Sequence, residues 1–322
     1  MSALGASAGR PAALHAGRPK ELGRARRVLV GCGAVTIITD PRCTAYRSPG
    51  HPERPERILR SVEKLKGQDS LKLDWAAPAK VEPECLLRAH TVGHLRQLAE
   101  ASGDFDGDTP GHPGIWDHAL RGVGGALKAL EIARHGGSAF SLLRPPGHHA
   151  TRSRAMGFCY LSTVAIAALE ARASGSRRVA VFDFDVHHGN GTEAVLMGQE
   201  GTFFASVHQH PCYPGSGTAD VGANCFNYPV APSFPRLDYR KTLSRALERL
   251  LAQKPDLLIV SAGFDAYARD PIAHETLEAE DFQWLGEEIR KRGVPVFSVL
   301  EGGYSDDLPS LVLAYLGGLA SR

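Results

Sequence analysis

The chain has 322 residues, of which 43% are hydrophobic and 22% charged, with a formal net charge of +2. That balance belongs to an ordinary globular protein and gives no broad electrostatic basis for direct nucleic-acid or membrane-surface binding; no apolar run approaches the roughly 20 residues that span a bilayer. The six cysteines, Cys32, Cys43, Cys85, Cys159, Cys212 and Cys225, lack paired metal-finger spacing and read as reduced thiols of a cytoplasmic protein.

In chain order, residues 1–27 come first, rich in Ala, Gly and Arg with Glu21 as their only acidic residue. They read as a disordered extension; organelle import through this segment is the lesser alternative. Residues 28–322 carry the pattern of a single domain, in which short apolar runs alternate with longer helical periodicities. The expected order is a strand over 34–39, helices over 54–66 and 115–134, a strand over 139–143 and a helix over 160–173. Strands over 179–184 and 202–207, a helix over 239–252, a strand over 257–261, a helix over 281–292, a strand over 294–300 and a helix over 308–319 follow. The strand runs are continuously apolar, as parallel strands covered on both faces require.

The unusual polar residues stand just after those strands. His148 and His149 follow one, Asp183, Asp185 and His187 close another, and His208 follows a third. Asp265 follows a fourth and Glu301 to Tyr304 a fifth. Open α/β sheets bind ligands outside the carboxyl ends of their strands, so five segments point to one rim and one active site.

Burying an unpaired carboxylate costs several kcal/mol or neutralises it, so Asp183 and Asp185 demand cations or strong donors. Asp185, His187 and Asp265 together offer two oxygens and one nitrogen, a three-ligand set that leaves room for water and substrate. Zinc suits it, and iron(II) or cobalt(II) can occupy the same donors. His148 and His149 are of the type that acts as general base and acid near neutral pH. Asp183 and Asn190 are placed to orient those rings, and the Tyr304 hydroxyl to donate to a developing oxyanion.

Taken together, Arg144 to Ala150, Gly157 to Tyr160, Asp183 to Thr192, Ser261 to Asp265 and Leu300 to Tyr304, with the early His51-Pro52-Glu53-Arg54-Pro55-Glu56-Arg57, resemble the histone deacetylase superfamily. That superfamily includes bacterial deacetylase-like amidohydrolases, acetylpolyamine amidohydrolases and acetoin-utilisation proteins. The resemblance runs from about residue 35 to 319 in matching order. It implies a single-domain three-layer α/β/α fold of the arginase and deacetylase kind, with a mainly parallel central sheet.

The resemblance further implies that Asp185, His187 and Asp265 hold zinc, that His148 and His149 are the tandem catalytic histidines, with His149 the general base and acid, and that Tyr304 polarises the substrate carbonyl. Asp183 matches a residue that also helps bind a structural potassium ion with Ser206. Asn190 indicates the class II-like branch, and Asp108 falls where relatives hold substrate backbone. Phe158 and Tyr213 would line a tunnel for an extended lysine-like chain, with Gly157 letting it pass closely. The chain departs from the family pattern at Leu161-Ser162-Thr163, at Tyr213 and at Tyr267-Ala268, none of which is a proposed ligand or catalytic group.

The expected activity is zinc-dependent hydrolysis that removes an acetyl or other short acyl group from a lysine side chain, in a protein or peptide, or from a lysine-like amine. An acetylpolyamine or other small-acylamine amidohydrolase is the alternative. A ureohydrolase-like two-metal enzyme and a non-catalytic scaffold are more distant ones.

Overall fold

The computed structural model describes residues 34–321, so the extension expected over residues 1–27, the first residues of the expected domain and Cys32 lie outside the described residues. The described chain begins with strand β1 (Val35–Ile38), helix α1 (Glu56–Lys66), β2 (Leu73–Ala76), α2 (Pro83–Ala89), α3 (Val92–Ala99), α4 (Ile115–Arg134) and β3 (Ser138–Ser141). It continues through α5 (Thr163–Ala173), β4 (Val179–Asp183), α6 (Asn190–Leu196), β5 (Thr202–Gln209), β6 (Cys225–Val230), α7 (Arg236–Ala252), β7 (Leu257–Ala262), α8 (Ala279–Lys291), β8 (Val296–Leu300) and α9 (Leu308–Ala320).

All eight strands form one sheet in the order β2-β1-β3-β8-β7-β4-β5-β6, and every pairing is parallel. Strands β4, β7 and β8 are buried at every residue. Both α5 and α7 pack on β4, so helices cover the two faces and the architecture is the expected three-layer α/β/α one. Along α9 the buried positions Leu308, Leu311, Val312, Tyr315, Leu316 and Leu319 recur every three to four residues, and this stripe lies on α8. Helix α8 begins with a reciprocal cap, in which Glu278 and Asp281 satisfy each other's backbone donors.

Five elements were not expected from the sequence. Strands β2 and β6 are the two sheet edges; β2 is only half-buried, and β6 contains Asn227 and Pro229, which blunt an apolar signal. Helices α2, α3 and α6 have seven or eight residues each, too few for a periodicity to declare itself. The helix expected to begin at 160 starts instead at Thr163. His94 of α3 and His90, the residue that caps the end of α2, explain the delay: the His94 ring meets the Tyr160 carbonyl at 2.8 Å, and the Ser162 N–H donates to His90 Nε2 at 2.9 Å. Those bonds satisfy backbone groups that a longer helix would have used.

The sheet order positions the site. Strands β3, β8, β7, β4 and β5 are consecutive neighbours, and the five polar segments picked out in the sequence follow those same strands. Among the described residues, no helix is long and apolar enough to cross a membrane.

Candidate active site

Past the end of β4 the backbone alternates, so that Phe184 and Val186 enter the core while Asp183, Asp185 and His187 share the other side; all are buried. Donor atoms of Asp185, His187 and Asp265 converge within 4.8 Å of one another. Nδ1 of His187 stands 3.2 Å from Oδ1 of Asp185 and 3.1 Å from Oδ2 of Asp265. The carboxylates are aimed by backbone donors: His187 N–H to Asp185 Oδ1 at 2.9 Å, Gly302 N–H to Asp185 Oδ2 at 2.7 Å, and Val186 N–H to Asp265 Oδ1 at 2.9 Å. Gly302 is required by close approach, because a Cβ there would lie 2.1 Å from Asp265 Oδ2 and 2.6 Å from Asp185 Oδ2.

The electrostatics of the cluster call for a cation. Burial, and then the neighbouring Asp185, push the Asp265 carboxyl upward. Burial works against a charged His187, but Asp185 and Asp265 outweigh it and hold its pKa well above the usual range. Two buried oxygens and one nitrogen around one point, with coordination positions left over, fit a divalent ion of the catalytic kind.

The tandem histidines sit in different environments. His148 Nδ1 faces Asp183 Oδ2 at 3.1 Å, and its Nε2 is 3.7 Å from Asp185 Oδ1. Burial opposes its charge, yet Asp185 and Asp183 raise its pKa to about 10. His149 Nδ1 lies 2.8 Å from Asn190 Oδ1, a neutral partner, while the Asn190 amide nitrogen faces Met156 Sδ. Burial first, then the charges on His148 and His187, lower the His149 pKa well below its ordinary value. The two ring centroids are 4.0 Å apart, so a ring with an anionic partner and a ring with a neutral one stand side by side. Adjacent titratable groups with environments that differ in this way are an arrangement suited to acid–base chemistry.

Tyr304 is buried, and burial keeps its phenol protonated. Its backbone N–H donates to Asp270 Oδ2 at 2.7 Å, and the Arg57 guanidinium lies over its ring at 4.8 Å. Phe158 meets the Tyr304 ring edge-on at 5.8 Å, while Tyr213 meets His149 at 5.0 Å and His187 at 6.4 Å. The two expected tunnel aromatics therefore flank the histidines and the tyrosine. Gly157 adopts φ +57°, and a Cβ there would stand 2.5 Å from the His149 ring and 2.8 Å from Tyr213. Phe158 also takes a positive φ of 67° and donates its N–H to Thr109 Oγ1 at 3.1 Å, a strained conformation of the sort concentrated at functional sites. Outside Phe158, a cleft of about 350 Å³ is lined by Ser48, His51, Asp104, Asp106 and Asp108. The Asp108 carbonyl is held at 3.1 Å by His51 Nε2.

Ser206 lies opposite Asp183 in the β4–β5 register, but its hydroxyl pairs with His208 Nδ1 at 2.9 Å. Several residues of the site carried no role in the sequence reading. Glu301 Oε2 accepts the N–H groups of Gly147 at 2.6 Å and His148 at 3.1 Å, and Cys159 joins Glu301 and His148 in a buried cluster. Arg144 is fully buried and forks onto Glu53, which also meets Arg57. Arg57 in turn donates to the carbonyls of Glu301 and Gly303. The signal for these existed in Glu53 and Arg57 of the early charged motif and in Arg144 and Glu301 beside strand ends, but not their mutual contacts.

The histone deacetylase domain family matches residues 51–317. A probable deacetylase of Methanothermobacter thermautotrophicus is 36% identical over 303 residues, covering 88% of this chain and 90% of the relative. A histone deacetylase-like amidohydrolase of Pseudomonas aeruginosa is 38% identical over 283 residues, covering 80% of this chain and 73% of its own. The crystal structure of an acetylpolyamine aminohydrolase from Burkholderia pseudomallei superposes with a TM-score of 0.82 at 27% identity, over 89% of this chain and 99% of the other.

Proposed function

The chain belongs to the histone deacetylase family, and from that premise we propose that it is a metal-dependent deacetylase acting on the acylated end of an extended primary amine, first of all an acetyl-lysine side chain. The observation that carries this reading is the tandem pair of His148, bonded to Asp183, and His149, bonded to Asn190, beside the converging Asp185, His187 and Asp265 donors.

Asp185, His187 and Asp265 would hold the ion, zinc by preference and iron(II) or cobalt(II) as compatible occupants. When bound it polarises the amide carbonyl and makes a water more acidic. His149, neutral and steadied at Nδ1 by Asn190, takes the proton of the attacking water at Nε2 and returns it to the departing amine nitrogen. His148, bonded at Nδ1 to Asp183, supports the negative charge that develops, and the Tyr304 hydroxyl donates to the oxyanion. The C–N bond breaks as the tetrahedral adduct collapses, leaving a carboxylate and a free amine. Phe158, Tyr213 and Gly157 form the passage for the methylene chain, and Asp108 holds polar groups of the substrate at the mouth. A potassium ion beside Asp183 and Ser206 belongs to the same reading, supported by their opposed places in the β4–β5 register.

A second reading, hydrolysis of acetylpolyamines or similar small amides, is favoured by the carboxylates of Asp104, Asp106 and Asp108 around the mouth and by the activity named for the Burkholderia pseudomallei neighbour. Turnover on an acetyl-lysine peptide and on acetylputrescine, with and without chelator, decides between the two. Chelator-sensitive turnover on the peptide supports the first reading, and a preference for acetylputrescine supports the second. Inactivity on both, or activation only at two metal equivalents per chain, overturns the proposal in favour of a scaffold or a ureohydrolase-like enzyme.

A further inference from the structure

Glu301 follows β8 directly, is fully buried, and takes part in no step described above. Its side chain nevertheless touches the two neighbouring strand ends. Oε2 accepts two successive N–H groups, those of Gly147 and His148, at 2.6 and 3.1 Å. Oε1 accepts the Ser261 hydroxyl at 3.1 Å, and Ser261 is the residue paired with Asp183 across β4 and β7. The Glu301 backbone is pinned as well: its N–H donates to the Ala262 carbonyl at 2.9 Å, and its carbonyl accepts from Arg57. The next residue, Gly302, donates to Asp185, and Tyr304 follows two residues later.

The tandem histidines are thus held from two sides. On one side the His148 carbonyl accepts the N–H groups of Gly191 and Thr192 at 2.9 and 3.0 Å, and Asn190 holds His149. On the other side the Glu301 carboxylate is the acceptor for the donors of Gly147 and His148. Both residues are buried, so without that acceptor the two N–H groups can regain partners only if the loop moves. The loop has little room: a Cβ at Gly147 would lie 2.7 Å from Thr163 N and 2.8 Å from the Leu161 carbonyl.

We infer that Glu301 is a positioning residue for proton transfer: its carboxylate braces the histidine loop after β3 against the ends of β7 and β8, and so sets where the imidazoles of His148 and His149 stand relative to Tyr304 and the metal ligands. This rests on the deacetylase reading. The effect belongs in kcat rather than KM, because the brace lies beneath the histidines and not along the passage for the substrate chain.

The test compares Glu301→Ala, Glu301→Gln and Ser261→Ala as metal-loaded full-length proteins on an acetyl-lysine peptide, with circular dichroism to confirm folding. Glutamine keeps an oxygen for the two N–H groups and can turn its amide toward Ser261. Glu301→Ala should lower kcat about 100-fold, the cost of a small misplacement of catalytic groups, with KM within about threefold of wild type. Glu301→Gln should restore kcat to within about fivefold, and the histidine ring 15N signals should shift in the alanine variant but return in the glutamine variant. Should Glu301→Ala fail to fold, Ser261→Ala, which removes one bond of the brace, must still lower kcat with KM unchanged. An alanine variant with wild-type kcat, or a folded glutamine variant as impaired as alanine, overturns the inference and leaves the deacetylase reading intact. An inactive wild type overturns both.

Discussion

Asn190 Oδ1 lies 2.8 Å from Nδ1 of His149, at the first residue of α6, whereas the corresponding nitrogen of His148 faces the carboxylate of Asp183. One neutral and one anionic partner underlie the proposed division of two adjacent rings into a base and a cation. Asn190→Asp should blur that division. A carboxylate at this distance favours the charged imidazole, so the His149 pKa rises. Because the base must be neutral to act, the acid limb of kcat/KM should move to higher pH by about one unit or more, with activity above the limb retained. A pH profile of Asn190→Asp whose acid limb matches the wild type would show that His149 is not the base.

Gly302 and Gly317 make a matched pair of alanine substitutions. A Cβ at 302 would intrude on both metal-directed carboxylates, while at Gly317, within α9, nothing lies within 4 Å. On the proposed ligand set, Gly302→Ala should therefore take up much less zinc than wild type when metal-free protein is loaded, and lose most of its turnover. Gly317→Ala should keep both and gain about 0.5–1 kcal/mol in stability from the helix preference of alanine. Metal analysis of the purified proteins, with urea unfolding, reads both. Equal zinc content in the two variants would contradict the proposed ligand set.

The structure also shows why some of the site was legible in the sequence and some was not. Asp183, Asp185 and His187 announced themselves because charges inside an apolar run need a reason to be buried, and His148, Asp265 and Tyr304 because they follow other such runs. The interior strands were legible for the same reason, since both faces are covered and the apolar runs are unbroken. Edge strands β2 and β6 carry polar residues or proline and have no such run. The braces were illegible for a different reason. Glu301 reaches back to Gly147 across 154 positions and Arg144 to Glu53 across 91; the first contact follows from β8 lying beside β3, the second from β3 lying beside β1. Strand order is a tertiary outcome that no local pattern of these segments encodes.

The Arg144–Glu53 pair is one such contact with a measurable cost. Both side chains are buried, Arg144 also donates to the carbonyls of Cys43 and Tyr46, and its guanidinium lies 3.8 Å over the Tyr46 ring. Arg144→Leu strips Glu53 of its main partner and should cost about 3–5 kcal/mol in denaturant unfolding. Burial opposes the Glu53 charge, but Arg144 and Arg57 hold its pKa down to about 2, from an ordinary 4.5. A depressed carboxyl contributes stability that is complete above its unfolded value and fades as pH falls through the folded one. The contribution of Glu53 should thus be full above pH 4.5 and be lost toward pH 2. The wild-type and Arg144→Leu curves should therefore converge in acid. Curves that stay parallel down to the acid transition would show that the pair does not carry this linkage.

Tyr304→Phe isolates the hydroxyl. The ring is packed by Phe158 on its edge and Arg57 over its face, and the backbone is held by Asp270. None of these contacts uses the phenolic oxygen, so the variant should fold and bind metal as the wild type does. On the proposed mechanism, what it loses is a donor that burial keeps protonated, serving charge that exists only as the adduct forms. The expected result is a fall in kcat of about 100- to 1000-fold, as for removal of a single oxyanion donor, with KM little changed. If KM rises and kcat stays, the hydroxyl binds the ground state instead. If neither changes, Tyr304 takes no part in the reaction, and the passage between Phe158 and Tyr213 must present the amide to some other donor.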